Sequence, residues 1–360
     1  PFTGALFSRY KWARFRSRFD ELRLVPILDY RQYRRLDTES GIFRFIGGIE
    51  SIADGYLWLK DDNLTIPVSL ENTESYLFPM EEGDLIPRTP EKIDWDKIST
   101  LEEGAKVFVG GLLLKQNNRY NFVSIKGKPL MLIIYDCQNN VLTERIIRSG
   151  RTSNEYWNNF TPASIAAGAL AQLFIAASIM TRPAFQPLII FSLIALFVPI
   201  LPFFPPGLLL TNIYRNLAWK AHNLRANDDL SRLPVRYLHP GLEFNILNTG
   251  EKYGFLKCDS LPDEVKDGAI PYLVSGNLKK SKFSAWYIFG VIDENKIPGK
   301  SKDPFVSFGI LPGEPQALSR RYGIRAYILE GIAWFVLLTG IVLNIIFIFM
   351  ILNILGLIIF

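Results

Sequence analysis

Cysteine and histidine are nearly absent from this chain. Its 360 residues hold two of each: Cys137 and Cys258, His222 and His239. With no Cys-x-x-Cys, a structural zinc site of the usual kind is excluded. A reducing cytoplasm would disfavour a disulfide between the two cysteines, so both read as core or surface thiols. The common catalytic motifs are missing as well. There is no Gly-x-x-x-x-Gly-Lys-Ser/Thr phosphate loop, no Gly-x-Gly-x-x-Gly and no Gly-x-Ser-x-Gly elbow. His222 falls in a basic juxtamembrane helix, and His239 precedes Pro240 at a turn. A lone histidine in either place is structural more often than catalytic. Asp61-Asp62 and Glu81-Glu82-Asp84 read as solvated turns before they read as cation ligands. Ser164, Ser178 and Ser192 have no base at membrane depth to activate them. The expectation is a non-enzymatic chain with no catalytic, cofactor-binding or metal-binding residue and no cofactor.

Acidic charge is also missing over one long stretch. From Tyr156 to Asn227 there is no Asp or Glu, while the flanking regions are ordinarily charged. The chain is 49% hydrophobic, and its mean hydropathy of +0.14 lies above the range of most soluble domains, so part of it is expected in lipid. The net charge of +5 makes nucleic acid the first partner to consider. The basic residues cluster beside apolar runs instead of interleaving with aromatics along one stripe. That pattern orients a membrane protein and argues against nucleic acid. The sequence starts at Pro1 and stops at Phe360 inside an apolar run, which is compatible with a signal peptide or further helix beyond either end.

The chain alternates aqueous and membrane pieces. Residues 1–38 form a basic juxtamembrane segment, in which Trp12, Phe15 and Phe19 share one helical face among Arg9, Lys11, Arg14, Arg16 and Arg18. It reads as the tail of a preceding helix or, alternatively, as an amphipathic helix on an anionic leaflet. Residues 39–150 form a first β-rich module. Six runs carry its strands: GIFRFIGGIES, DGYLWLK, LTIPVSL, AKVFVGGLLLK, RYNFVSI and PLMLIIYD, parted by turns such as Asp54-Gly55. The insert from Phe78 to Thr100 reads as a loop with one short helix at its end. Residues 161–213 form a transmembrane hairpin, its first helix rich in Ala and Gly and its second broken by Pro199, Pro202, Pro205 and Pro206. Residues 214–235 then form an interfacial or juxtamembrane helix, with a plain kink or a transport site as alternative readings of the proline break. Residues 236–318 form a second β-rich module, and residues 326–360 a C-terminal transmembrane segment of one or two helices. Glu330, near its start, is expected to pair with Arg325 or Arg321. Arg145, Arg148 and Arg151 before the hairpin, and Arg215, Lys220 and Arg225 after it, place both β modules on the cytoplasmic side.

The two β regions echo each other. GAKVFVGGLLLK (Gly104 to Lys115) and GAIPYLVSGNLKK (Gly268 to Lys280) share an opening Gly-Ala, an apolar strand and a Leu-Lys ending. KPLMLIIY and DPFVSFGI each set a proline before a strand. This order is compatible with an internal duplication. It also resembles the membrane-anchored GIDE-type "beside-a-membrane" family, and the NfeD-type proteins that append an OB-like barrel to membrane helices. The likeness covers Leu101 to Ala176 and Val265 to Leu343. It implies architecture alone: the first family's ubiquitin-ligase chemistry needs a zinc RING, for which this chain lacks the cysteines and histidines.

The expected fold is therefore a mixed membrane protein: transmembrane helices plus two small all-β soluble modules, each an OB-like barrel or sandwich. The expected function is a polytopic membrane scaffold or accessory protein whose cytoplasmic modules bind partner proteins in an inner or plasma membrane. A subunit of a transporter or lipid-handling complex is the alternative. Membrane lipid, membrane or cytoplasmic proteins and a second copy of the chain are the partners this reading allows.

Overall fold

A computed structural model describes residues 2–78, 91–93, 104–116, 119–125, 127, 129–152, 163, 166–167, 169–170, 174, 177, 207–238, 251–274, 285–294 and 296–354. It is a mixed α/β structure with one eight-stranded mixed sheet, one four-stranded sheet and helices. The chain divides into two compact units. One comprises Arg14–Thr152 and Ala226–Arg320; the other comprises Pro1–Ala13, Ser153–Arg225 and Arg321–Phe360.

The first of these units carries both sheets. Helix α1 (Phe2–Leu22) and the short α2 (Tyr30–Arg35) lead into the strands. These are β1 (Ser40–Ala53), β2 (Tyr56–Asp61), β3 (Leu64–Ser69), β4 (Glu74–Phe78), β5 (Glu91–Ile93), β6 (Lys106–Gln116), β7 (Arg119–Val123) and β8 (Met131–Tyr135). Alternation sets the faces. Leu57 and Leu59 of β2, Ile66 and Val68 of β3, and Val107 and Val109 of β6 all point into one core that also holds Phe45 and Phe122. The β1–β2 turn is Asp54-Gly55, both at positive φ, as a tight hairpin of right-handed strands requires. The sheet order is β1-β2-β3-β7-β6-β8-β4-β5, and β1 also pairs with β6 over Ser40 to Gly48. A register shift between Ile49 and Ser51 lets the long β1 serve both neighbours. All five residues of β8 are buried, so both of its faces are covered.

Helix α3 (Asn139–Thr152) follows β8 and buries Leu142, Ile146 and Ser149, at the spacing of one helical face. Helix α4 (Gly207–Arg236) returns to this unit at Ala226. The second sheet is built of β9 (Lys252–Cys258), β10 (Trp286–Ile292), β11 (Pro298–Gly299) and β12 (Gly309–Leu311), with the one-turn helix α5 (Asp263–Lys266) after β9. β10 is central, and Val265, Trp286, Ile288 and Ile310 form its core.

Three expectations change here. The sheets are not separate all-β modules, because they share one compact unit and pack through common side chains. Phe19 of α1, Phe108 of β6 and Phe305 after β11 have ring centroids 5.2–6.2 Å apart. The aromatic face of α1 is likewise core and not membrane surface: Phe15 is 3% and Phe19 1% exposed. The paired repeat strings also diverge. Val107 to Lys115 lies in a central strand, whereas Gly268 to Val274 forms turns with a single bridge from Tyr272 to Ile310. In DPFVSFGI the strand begins only at Gly309.

In the other unit, the start of α4 packs on helix α6 (Pro315–Ile354). Tyr214, Ala333 and Leu337 form a buried apolar cluster between the two helices. The final apolar run is one continuous helix as far as Ile354. Its segment Pro315–Phe347 is long and apolar enough to cross a membrane, and 22% of its most apolar window is buried. Tyr327, Phe335 and Met350 lie more than half exposed on it. Glu330 pairs with Arg225 of α4, at 2.7 and 2.9 Å, and not with Arg321 or Arg325 as its own helix suggested. Most of the hairpin, with its four prolines, and Ser164, Ser178, Ser192, His239 and Glu81-Glu82-Asp84 lie outside the described residues.

Candidate binding cleft

In the sheet-bearing unit, the segment from Lys300 to Phe308 is held against the large sheet by a buried polar clamp. Arg44, in the middle of β1, is fixed by its neighbours: its Nε donates to the Val25 carbonyl at 2.6 Å. Its guanidinium forms a two-pronged ion pair with Asp303, and each side chain is 2% exposed. The same guanidinium lies 5.5 Å from the centre of the Phe305 ring. Asp303 in turn accepts from the Phe305 amide at 3.0 Å, which shapes the loop locally. Beside it, Arg23 donates to Asp20 and to the Tyr237 hydroxyl, and Tyr237 donates to the Phe305 carbonyl. Burial pushes the Tyr237 hydroxyl above its ordinary pKa, against the opposing pull of Arg23 and Arg44. The charges in this clamp face one another, so its chemistry is structural.

The loop so fixed forms one wall of a cleft of about 590 Å³. The opposite wall is the start of α3, where Asn139, Asn140 and Thr143 line the space. A helix start leaves backbone N–H groups without intrahelical acceptors and carries partial positive charge. The first turn of α3 holds no acidic residue to neutralise it. Lys106, Lys300 and Lys302 line the cleft as well. The Lys106 ammonium donates to the Cys137 carbonyl at 3.3 Å, just before the helix. The two carboxylates on the lining are already engaged, Glu144 by Arg148 and Asp303 by Arg44. Thr143 is 8% exposed, and its Oγ1 has no hydrogen-bond partner. Leu233, Leu273 and Phe308 supply an apolar side. A second, more open hollow lies at Arg232, Arg236 and Ser319. There Arg232 is held by Asp228 and Arg236 by Asp20.

The residues weighed from sequence do not meet in either place. Cys137 and Cys258 are free thiols, half-buried, and burial raises both above their ordinary pKa. His222 is half-buried on α4, and Asp61 and Asp62 are exposed at the β2–β3 turn. Among the described residues, no three His, Cys, Asp or Glu side chains gather as a metal site. The cleft itself escaped the sequence reading, because its walls come from five distant segments. One signal was present: Asn139-Asn140 before Leu142, Ile146 and Ser149 marks a helix start, though the run reads first as an arginine-rich linker. No protein-family model, curated protein or solved structure matches the chain.

Proposed function

We propose that this chain is a non-enzymatic membrane scaffold or accessory protein whose sheet-bearing unit binds partner proteins beside an inner or plasma membrane. One observation carries the reading: α6 leaves large apolar side chains exposed along its length, Tyr327, Phe335, Leu338, Val342 and Phe347 among them. In water that surface would drive aggregation; in lipid it needs no cover. Arg320, Arg321 and Arg325 stand before the apolar run and favour a cytoplasmic origin for the helix. The strand circuit supports an OB-like barrel for the larger sheet. Pairing runs from β1 through β2, β3, β7 and β6 and returns to β1, with β3 and β7 parallel. A small barrel beside a membrane helix is the arrangement implied by the resemblance to GIDE-type and NfeD-type proteins.

Extraction in mild detergent followed by native mass spectrometry tests the reading. A protein partner or second copy at fixed stoichiometry is the expected result. Retained lipid without any protein partner would replace it with the lipid-handling alternative. The side of the membrane is read separately, by labelling Cys258 with an impermeant thiol reagent in sealed inverted vesicles and in right-side-out ones.

A further inference from the structure

We propose that the cleft at the start of α3 binds a phosphate monoester, carried either by a small soluble molecule or by a lipid headgroup. This goes beyond the scaffold reading and does not depend on it. The argument starts from the hydroxyl of Thr143. Thr143 lines the cleft and is 8% exposed, and its Oγ1 is closed off in the wall without a partner, so a turn of this side chain toward the cleft would let a ligand oxygen satisfy it. The positive end of a fourteen-residue helix stands beside it, with no acidic residue in the first turn. Lys106, Lys300 and Lys302 add three ammonium groups from two further segments, while the lining carboxylates are spent on Arg148 and Arg44.

Donors approaching from several directions suit a tetrahedral, multiply charged anion better than a planar carboxylate. A cleft of about 590 Å³ is far larger than the bare ion. Leu233, Leu273 and Phe308 can cover an organic body attached to it, in the size range of small-molecule sites. The Arg44–Asp303 clamp fixes the wall that carries Lys300 and Lys302, so the cleft is formed before a ligand arrives.

Lysine footprinting on the full chain tests this, in non-ionic detergent and with inorganic phosphate as the first probe. Millimolar phosphate is expected to slow acylation of Lys106, Lys300 and Lys302 by about threefold or more, and to leave Lys257 unchanged. Sodium chloride at the same ionic strength should protect none of them. Thr143→Val and, separately, Lys302→Gln should each weaken protection about tenfold. Lys302 is exposed, so its variant cannot fail merely by unfolding. Nanodiscs then separate the sources. Protection in discs containing phosphatidic acid, but not in pure phosphatidylcholine, identifies a lipid headgroup. Protection only after free phosphate is added identifies a soluble ligand. Equal protection by chloride, undiminished protection in Thr143→Val, or none under any condition overturns the proposal.

Discussion

Arg44 and Asp303 stand 259 residues apart in the chain and meet as a fully buried ion pair that joins β1 to the loop before β12. Removing one partner strands the other charge in the core. Arg44→Met is therefore expected to destabilise the protein by about 3–5 kcal/mol. Adding Asp303→Asn to that variant removes the stranded carboxylate and should recover about 1 kcal/mol or more. Denaturant unfolding of the four proteins of this cycle measures both effects.

Alkaline pH attacks the sheet-bearing unit through its buried tyrosines. Burial raises Tyr76 from an ordinary 10.0 to about 12, with the Glu74 charge adding to the effect. Burial also raises Tyr135, Tyr237 and Tyr253. Each side chain is neutral in the fold and ionises more readily once unfolded. Stability is thus complete below about pH 10 and is lost as pH rises toward the folded values. For Tyr76 the difference corresponds to roughly 3 kcal/mol. Phenolate absorbance and helical signal should change together in one cooperative transition above pH 10, and Tyr76→Phe should move its midpoint upward.

Gly207 opens α4, and its backbone N–H donates to the Asn344 side chain of α6 at 3.3 Å. Asn344 is 2% exposed in the apolar part of α6. Asn344→Leu leaves that amide unpaired and is expected to cost about 1–3 kcal/mol. Gly207→Ala attacks the contact from the other side, because a Cβ there would lie 2.2 Å from Asn344 Nδ2 and 3.2 Å from the Gly340 carbonyl oxygen. Thermal unfolding in detergent should show both variants melting below the native chain.

The Arg225–Glu330 pair joins the same two helices at a site where each side chain is 25% exposed. Solvent screening limits its worth to about 1 kcal/mol. Glu330→Arg should lower the melting temperature, and the exchanged pair Arg225→Glu with Glu330→Arg should restore most of the loss.

Strands were the most legible part of this chain. YLWLKD, LTIPVS and MLIIY announce themselves by β-branched and apolar residues between Asp, Asn and Gly turns, and each forms a strand. ESYLF was missed as β4, since Glu74 and Ser75 break the apolar pattern; yet Tyr76 and Phe78 are buried and pair in parallel with β8. The three-residue β5 fell inside what reads as a loop, because a strand so short has no periodicity to detect. Nothing in GIFRFIGGIES marks Arg44 as one half of an ion pair, and only the fold brings Asp303 to it. The cleft was illegible for the same reason. Thr143, Lys106 and Lys302 are ordinary residues until β6, α3 and the 300–308 loop are set side by side.

The uneven pairing of the large sheet has a kinetic meaning. β1 and β6 are tied by nine consecutive register pairs, whereas β3 and β7 meet through one, Val68 with Phe122. One register pair holds far less than nine, so this seam is the first to open. The amides of Val68 and Ser69 and those around Phe122 will take up deuterium ahead of those between β1 and β6, so water enters the sheet first along its most thinly paired line.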